Sequence, residues 1–213
     1  MGLPEGIIRK IRCSSIMMGL LVCLFLMGNA QTACAFGFRD VASIGAAYMT
    51  HLSLHELGHQ VVAEEVGADT PQISFFTRRN GRFYPGLSTY KNIPEQSKLP
   101  YAVGGDRMAG VTFDYALQSY RYQRTTFNKA LLFFSCADFF VYTLLGNYVH
   151  PENDLYDPNL IREETGLSKG ALLSIVAVKS LLNAYRVVNE DARLFPMIAV
   201  DHNSAAFLIG FQF

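Results

Sequence analysis

The segment Val41-Ala-Ser-Ile-Gly-Ala-Ala-Tyr-Met-Thr-His51-Leu-Ser-Leu-His55-Glu56-Leu57-Gly58-His59-Gln60-Val61-Val62-Ala63 carries a single Asp, Glu, Lys or Arg, Glu56, in a run dominated by apolar and small residues. A run of this length makes about six turns of helix. Helix signals bracket it: Asp40 is placed to cap its start, and Gly67, followed by Asp69-Thr70-Pro71, is placed to end it. His55 and His59 stand four residues apart, so their imidazoles share one helix face and both Nε2 atoms can reach one ion at about 2.0–2.1 Å. Glu56 is rotated about 100° around the axis from His55, where its carboxylate reaches a metal-bound water rather than the metal. Polar groups left unpaired in an apolar helix are expensive, and coordination offsets that cost. His-Glu-x-x-His in this setting reads as a Zn2+ site with Glu56 as the catalytic base. Gly58, inside the motif, permits a neighbouring helix to approach closely.

The rest of the chain supports a helical, apolar domain. Of 213 residues, 50% are hydrophobic and 17% charged, with 18 basic residues balancing 18 acidic ones. Such a surface offers nothing to nucleic acid. Arg9, Lys10 and Arg12 precede an apolar stretch from Ile16 to Met27, and Ala33-Cys34-Ala35 follows as a small-residue cleavage site. Residues 1–35 thus read as an export signal of bacterial type, with an uncleaved signal anchor as the rival. Residues 36–213 read as one domain. Cys13 and Cys23 fall in the leader, so no disulfide framework is expected, and Cys136 is expected as a buried small residue.

Two aromatic runs flank Asn80-Gly81 between Ile73 and Tyr84, the pattern of a β-hairpin. A glycine-bearing segment from Val103 to Val111 leads into a helix through Leu117, with its glycines suited to tight helix packing. From Ala130 to Val149 the only charge is Asp138, and the run is long enough to cross a bilayer. His150 to Asn159 reads as a polar turn closed by Pro151 and Pro158. Ser168 caps a further apolar helix over Ala171–Leu182, and the chain closes in a second hairpin turning near His202-Asn203. The expected fold is mainly α: a bundle of about four apolar helices with two small β-hairpins, embedded in a membrane.

A catalytic zinc takes three protein ligands and keeps one open position. The extended form of the motif with a third His is absent, since Val62 and Glu65 occupy the places of its Gly and last His. The third ligand must come from Asp154, Asp157, Asp138, Asp106, Asp114 or His150, and Asp154 is the expected one. Asp138 is assigned either to orienting a ligand imidazole or to pairing with Arg107 or a Tyr hydroxyl, and His51, one turn before His55, to hydrogen bonding beside the site. Glu64 and Glu65 read as a solvated helix end, and His202 as ordinary surface.

The order of these features resembles the site-2-protease type of membrane zinc metalloprotease: His55, Glu56 and His59 in an apolar helix, then a hairpin, a glycine-bearing helical segment, and an Asp-bearing motif near a later apolar helix. The similarity of organisation covers roughly residues 41–165. It implies an Asp as third zinc ligand; Asn153-Asp154 stands in for the family's Asn/Asp-Gly element but lacks the Gly. The expected activity is zinc-dependent hydrolysis of a peptide bond in a protein or peptide substrate, membrane-embedded ones included, at or in the lipid bilayer of a bacterial envelope, most naturally the inner membrane. Two rivals stand beside it: a non-catalytic metal-binding envelope protein, and a soluble periplasmic zinc metallopeptidase whose apolar helices are only core.

Overall fold

The computed structural model describes residues 37–79, 81–151, 153, 155–201 and 204–211. The leader, Asn80, Glu152, Asp154 and the His202-Asn203 turn lie outside the described residues. Helix α1 runs over Phe38–Glu65, hairpin strands β1 and β2 over Gln72–Arg79 and Arg82–Thr89, and α2 over Lys98–Tyr122. Helix α3 spans Thr126–Leu144 and continues as a π-helical turn through Leu145–Val149. Helix α4 covers Asp157–Thr165, α5 Lys169–Val188, and strands β3 and β4 Leu194–Asp201 and Ser204–Phe211. The mainly helical class with two small antiparallel hairpins matches the expectation. The two hairpins form separate two-stranded sheets.

Local chemistry explains most boundaries. Gly67 adopts φ +71° and closes α1 with the paired bonds Ala68 N–H to Ala63 C=O (2.8 Å) and Gly67 N–H to Glu64 C=O (3.1 Å). Ser168 caps α5 by accepting from Ala171 N–H at 3.2 Å, and Thr125 caps α3 by accepting from Asn128 N–H at 3.1 Å. Pairing of Arg79 with Arg82 leaves a two-residue loop at Asn80-Gly81, with Gly81 at φ +75°.

Two readings need correction. Asp40 does not precede α1 but lies in its first turn, where its Oδ1 accepts a hydrogen bond from Thr126 Oγ1 at 2.6 Å. The turn expected to run to Asn159 already becomes helix at Asp157. Pro158 stands in the first turn of α4, where its missing N–H costs nothing and its fixed φ suits the helix. A fifth, short helix is therefore added to the four expected.

Packing places the polar face of α1 against its neighbours. Ala47, Phe113, Ala116, Leu117 and Ala130–Leu132 form one apolar cluster joining α1, α2 and α3. Leu99, Val103, Phe139, Ile161, Leu172 and Val176 form another that ties α2 and α3 to α4 and α5. A third, around Val62, Ala63 and Tyr101, packs the end of α1 on α2. His51, His55, Glu56 and His59 lie between these clusters, each at most 6% exposed. Contact is closest at Gly58, where an added Cβ would stand 2.3 Å from the Gly104 carbonyl oxygen. Only a residue without a side chain fits there.

Candidate metal centre

Helical spacing brings the Nε2 atoms of His55 and His59 to 3.2 Å from each other. Each ring is held from behind by its Nδ1. His59 Nδ1 lies 2.7 Å from the Tyr101 carbonyl, and since a carbonyl only accepts, this nitrogen carries the proton. His55 Nδ1 lies 2.7 Å from Asp138 Oδ2, and a carboxylate likewise only accepts. In neutral rings both protons are therefore on Nδ1, and both Nε2 lone pairs face the same space.

The third group is Asp157. Its Oδ2 lies 3.2 Å from His59 Nε2 and 3.6 Å from His55 Nε2. Around a tetrahedral ion with bonds of about 2.0–2.1 Å, ligand atoms are spaced about 3.3–3.4 Å apart, which the triangle of 3.2, 3.2 and 3.6 Å matches. The carboxyl is buried, which works to raise its pKa, but in the metal-free site the charge of the protonated His59 and His55 rings and the hydrogen bonds they donate outweigh burial and hold it below the usual carboxylate range. Asp157 enters the site as an anion. These buried groups can hold a metal ion.

Asp157 is the carboxylate seen at the imidazoles; Asp154, the expected ligand, lies outside the described residues. That Asp157 went unchosen has a physical source. Reading His150 to Asn159 as one turn gave no reason to prefer either Asp, whereas the start of α4 at Asp157 fixes that carboxylate on a helix and aims it at α1. Asp106 and Asp114 are committed elsewhere, to Lys179 and to Arg186 (2.7 Å). His150 stacks on Tyr156 with ring centroids 5.2 Å apart.

Asp138 joins two imidazoles, His55 through Oδ2 at 2.7 Å and His51 through Oδ1 at 3.1 Å. His51, His55 and Asp138 also form a group close enough to surround an ion. The 2.7 Å separation is that of a hydrogen bond and is well short of the roughly 3.3 Å between ligands on one zinc, so Asp138 acts here by orienting His55. This agrees with one of the two roles expected from the sequence and removes Arg107 as its partner.

Glu56 stands outside both groups. It lines a cavity of about 380 Å³ together with His59, Asp157, Gly86, Ser88 and Tyr142. A Cβ at Gly86 would lie 2.6 Å from Glu56 Oε1, so the strand β2 backbone runs directly against this carboxylate. Gly105 on α2 closes the other side: its absent Cβ would lie 2.4 Å from His55 Nε2 and 2.5 Å from His59 Nε2. The sequence flagged this glycine segment for helix packing; its second task is to leave room for the imidazoles. Cys136 is half-buried, its thiol 3.5 Å from the Ser180 carbonyl, and takes no part.

No protein-family model, curated protein or solved structure matches the chain. The site's meaning rests on its own geometry.

Proposed function

We propose that this protein is a zinc-dependent peptidase of a cell-envelope membrane, with His55, His59 and Asp157 as the metal ligands and Glu56 as the catalytic base. The observation that carries the reading is the near-equilateral triangle of two Nε2 atoms and one carboxylate oxygen, with a fourth group, the Glu56 carboxylate, beside it on a cavity rather than within it. Zinc held by His55, His59 and Asp157 would supply Lewis acidity and activate a water for attack. Glu56 would hold the proton given up by the attacking water and pass it to the leaving amine. Asp138 and the Tyr101 carbonyl fix the ring orientations, so the ligands need no reorganisation on binding. The β2 backbone beside Glu56 offers an extended peptide a strand to align with, which fits a protein substrate.

Membrane placement is supported by where the buried charges fall. Among the described residues, Thr126–Val149 and Lys169–Val188 are long and apolar enough to cross a bilayer; α1 is not among them. Asp138 lies at the middle of the first and Lys179 at the middle of the second. Asp138 is matched to His51 and His55, and Lys179 to Asp106, which follows directly on the Gly105 that abuts the imidazoles. Ionisable groups at the centre of apolar helices persist when paired and mark functional sites. Both pairings lead to the same small region, which sets the metal groups level with the centres of both helices.

The test is cleavage of an unfolded or membrane-embedded protein by the purified chain, compared with Glu56→Gln. The variant keeps its metal and loses turnover by a factor on the order of 10² to 10⁴, the usual worth of a positioned base. Equal turnover in the two proteins would rule out the peptidase reading.

A further inference from the structure

The β1–β2 hairpin ends in a basic, aromatic tip, one of whose arginines, Arg79, also lines the cavity beside Glu56. Arg78, Arg79 and Arg82 cluster at its tip, and residues 72–89 contain no Asp or Glu, in a chain whose net charge is zero. None of the three forms an ion pair among the described residues. Between and beside them Phe75, Phe76 and Phe83 are 40%, 59% and 55% exposed. Cross-strand pairing sets Phe83 directly opposite Arg78.

Phe76 adds an independent sign. Its φ is +50°, in the left-handed region that a bulky side chain rarely occupies, and its ring is turned to the outside rather than into the core. Phe76 is the β1 position that the ladder skips, opposite Pro85, which has no N–H to donate, and the distortion there turns its ring outward.

The position of the tip is fixed by aromatic contacts. Tyr84 on β2 accepts a hydrogen bond from Asn153 Nδ2 at 2.8 Å, and its ring lies 6.4 Å from that of Tyr156, which stacks in turn on His150. His150 is the residue that ends the apolar run of α3. From Gly86, beside Glu56, to Arg82 is four residues of strand, about 13 Å, close to half the roughly 30 Å thickness of a bilayer core. With the strand directed along the helix axes, a metal site level with the helix centres would put the Arg-Phe tip at the headgroup layer. Arg with exposed aromatic rings is the chemistry of that layer, where the ring enters the acyl boundary and the guanidinium meets phosphate.

We infer that the tip of the β1–β2 hairpin is a docking surface for anionic lipid headgroups, with Arg78, Arg79 and Arg82 on the phosphates and Phe76 and Phe83 in the acyl boundary. The inference rests on the membrane reading above and names the lipid that this part of the chain meets.

The chain contains no tryptophan, so Phe76→Trp introduces a single indole reporter at the tip. The full chain carrying it is placed in vesicles of phosphatidylcholine alone, or of phosphatidylcholine with phosphatidylglycerol, containing brominated acyl chains. The expected result is blue-shifted emission and bromolipid quenching that rise with phosphatidylglycerol and are lost when Arg78→Gln, Arg79→Gln and Arg82→Gln are added. Emission that stays open to aqueous iodide in both vesicles overturns the inference, as does a response only to an acidic peptide. Alkaline carbonate separates the two claims: a protein released by carbonate yet quenched on phosphatidylglycerol vesicles keeps lipid docking and loses the spanning helices. A retained protein with its indole in water does the reverse.

Discussion

His55 and Asp138, 83 positions apart in sequence, are joined by a 2.7 Å contact between Nδ1 and Oδ2, while the opposite nitrogen of the same ring faces Asp157 at 3.6 Å. One carboxylate fixes the ring and another shares its free side. Asp138→Asn keeps the shape but replaces a charged acceptor with a neutral one, and it should weaken zinc binding by about 10- to 100-fold without emptying the site. Competition against a chromophoric chelator measures this; unchanged affinity would show that the ring is held by packing alone.

Gly105→Ala tests the space in front of the imidazoles. Its Cβ would fall 2.4 Å from one Nε2 and 2.5 Å from the other, and neither ring can swing freely because each Nδ1 is bonded. Overpacking of about 1–3 kcal/mol expressed in the site amounts to roughly a 5- to 150-fold loss of metal affinity. Circular dichroism should show the helices intact. Wild-type affinity in the variant would mean that the rings have room the geometry denies them.

Lys179 and Asp106 should behave as a coupled pair. Both are buried, at 7% and 2% exposure, so Lys179→Met leaves a carboxylate uncompensated and costs about 3–5 kcal/mol of stability. Adding Asp106→Leu removes that charge too and should recover most of the loss. Denaturation of the single and double variants decides it, and additive losses would contradict the pairing.

Metal affinity should fall as pH drops. Asp157 is held below the usual carboxylate range, so it stays ionised, and the imidazoles are the ligands that take up protons first and release the ion. Zinc affinity followed from neutral to acid pH should decline steadily. A curve that stays flat until the carboxylate range would place ligation on carboxylates and remove His55 and His59 from the site.

What was legible in the sequence follows from local physics. Two His at helical spacing in an uncharged run announced the helix, the shared face and the separate place of Glu56; Asn80-Gly81, Gly67 and Ser168 announced a hairpin, a stop and a cap. Asp157 was hidden because its value depends on where a helix begins. A proline one residue before a polar run's end reads as a terminator, whereas Pro158 lies in the first turn of α4. Asp40 was hidden likewise, by a helix start two residues earlier than its own chemistry suggests. The tie between Asp138 and His51 needs α1 and α3 packed side by side, and no local pattern encodes that contact.

The most direct test of the metal centre is zinc content of purified wild-type protein beside His59→Ala, Asp157→Ala, Asp154→Ala and Glu56→Gln. The proposed site predicts one zinc per chain in the wild type, retained in Glu56→Gln and Asp154→Ala and lost or sharply reduced in His59→Ala and Asp157→Ala. Equal zinc in all five proteins, or a loss at Asp154 with none at Asp157, would contradict it.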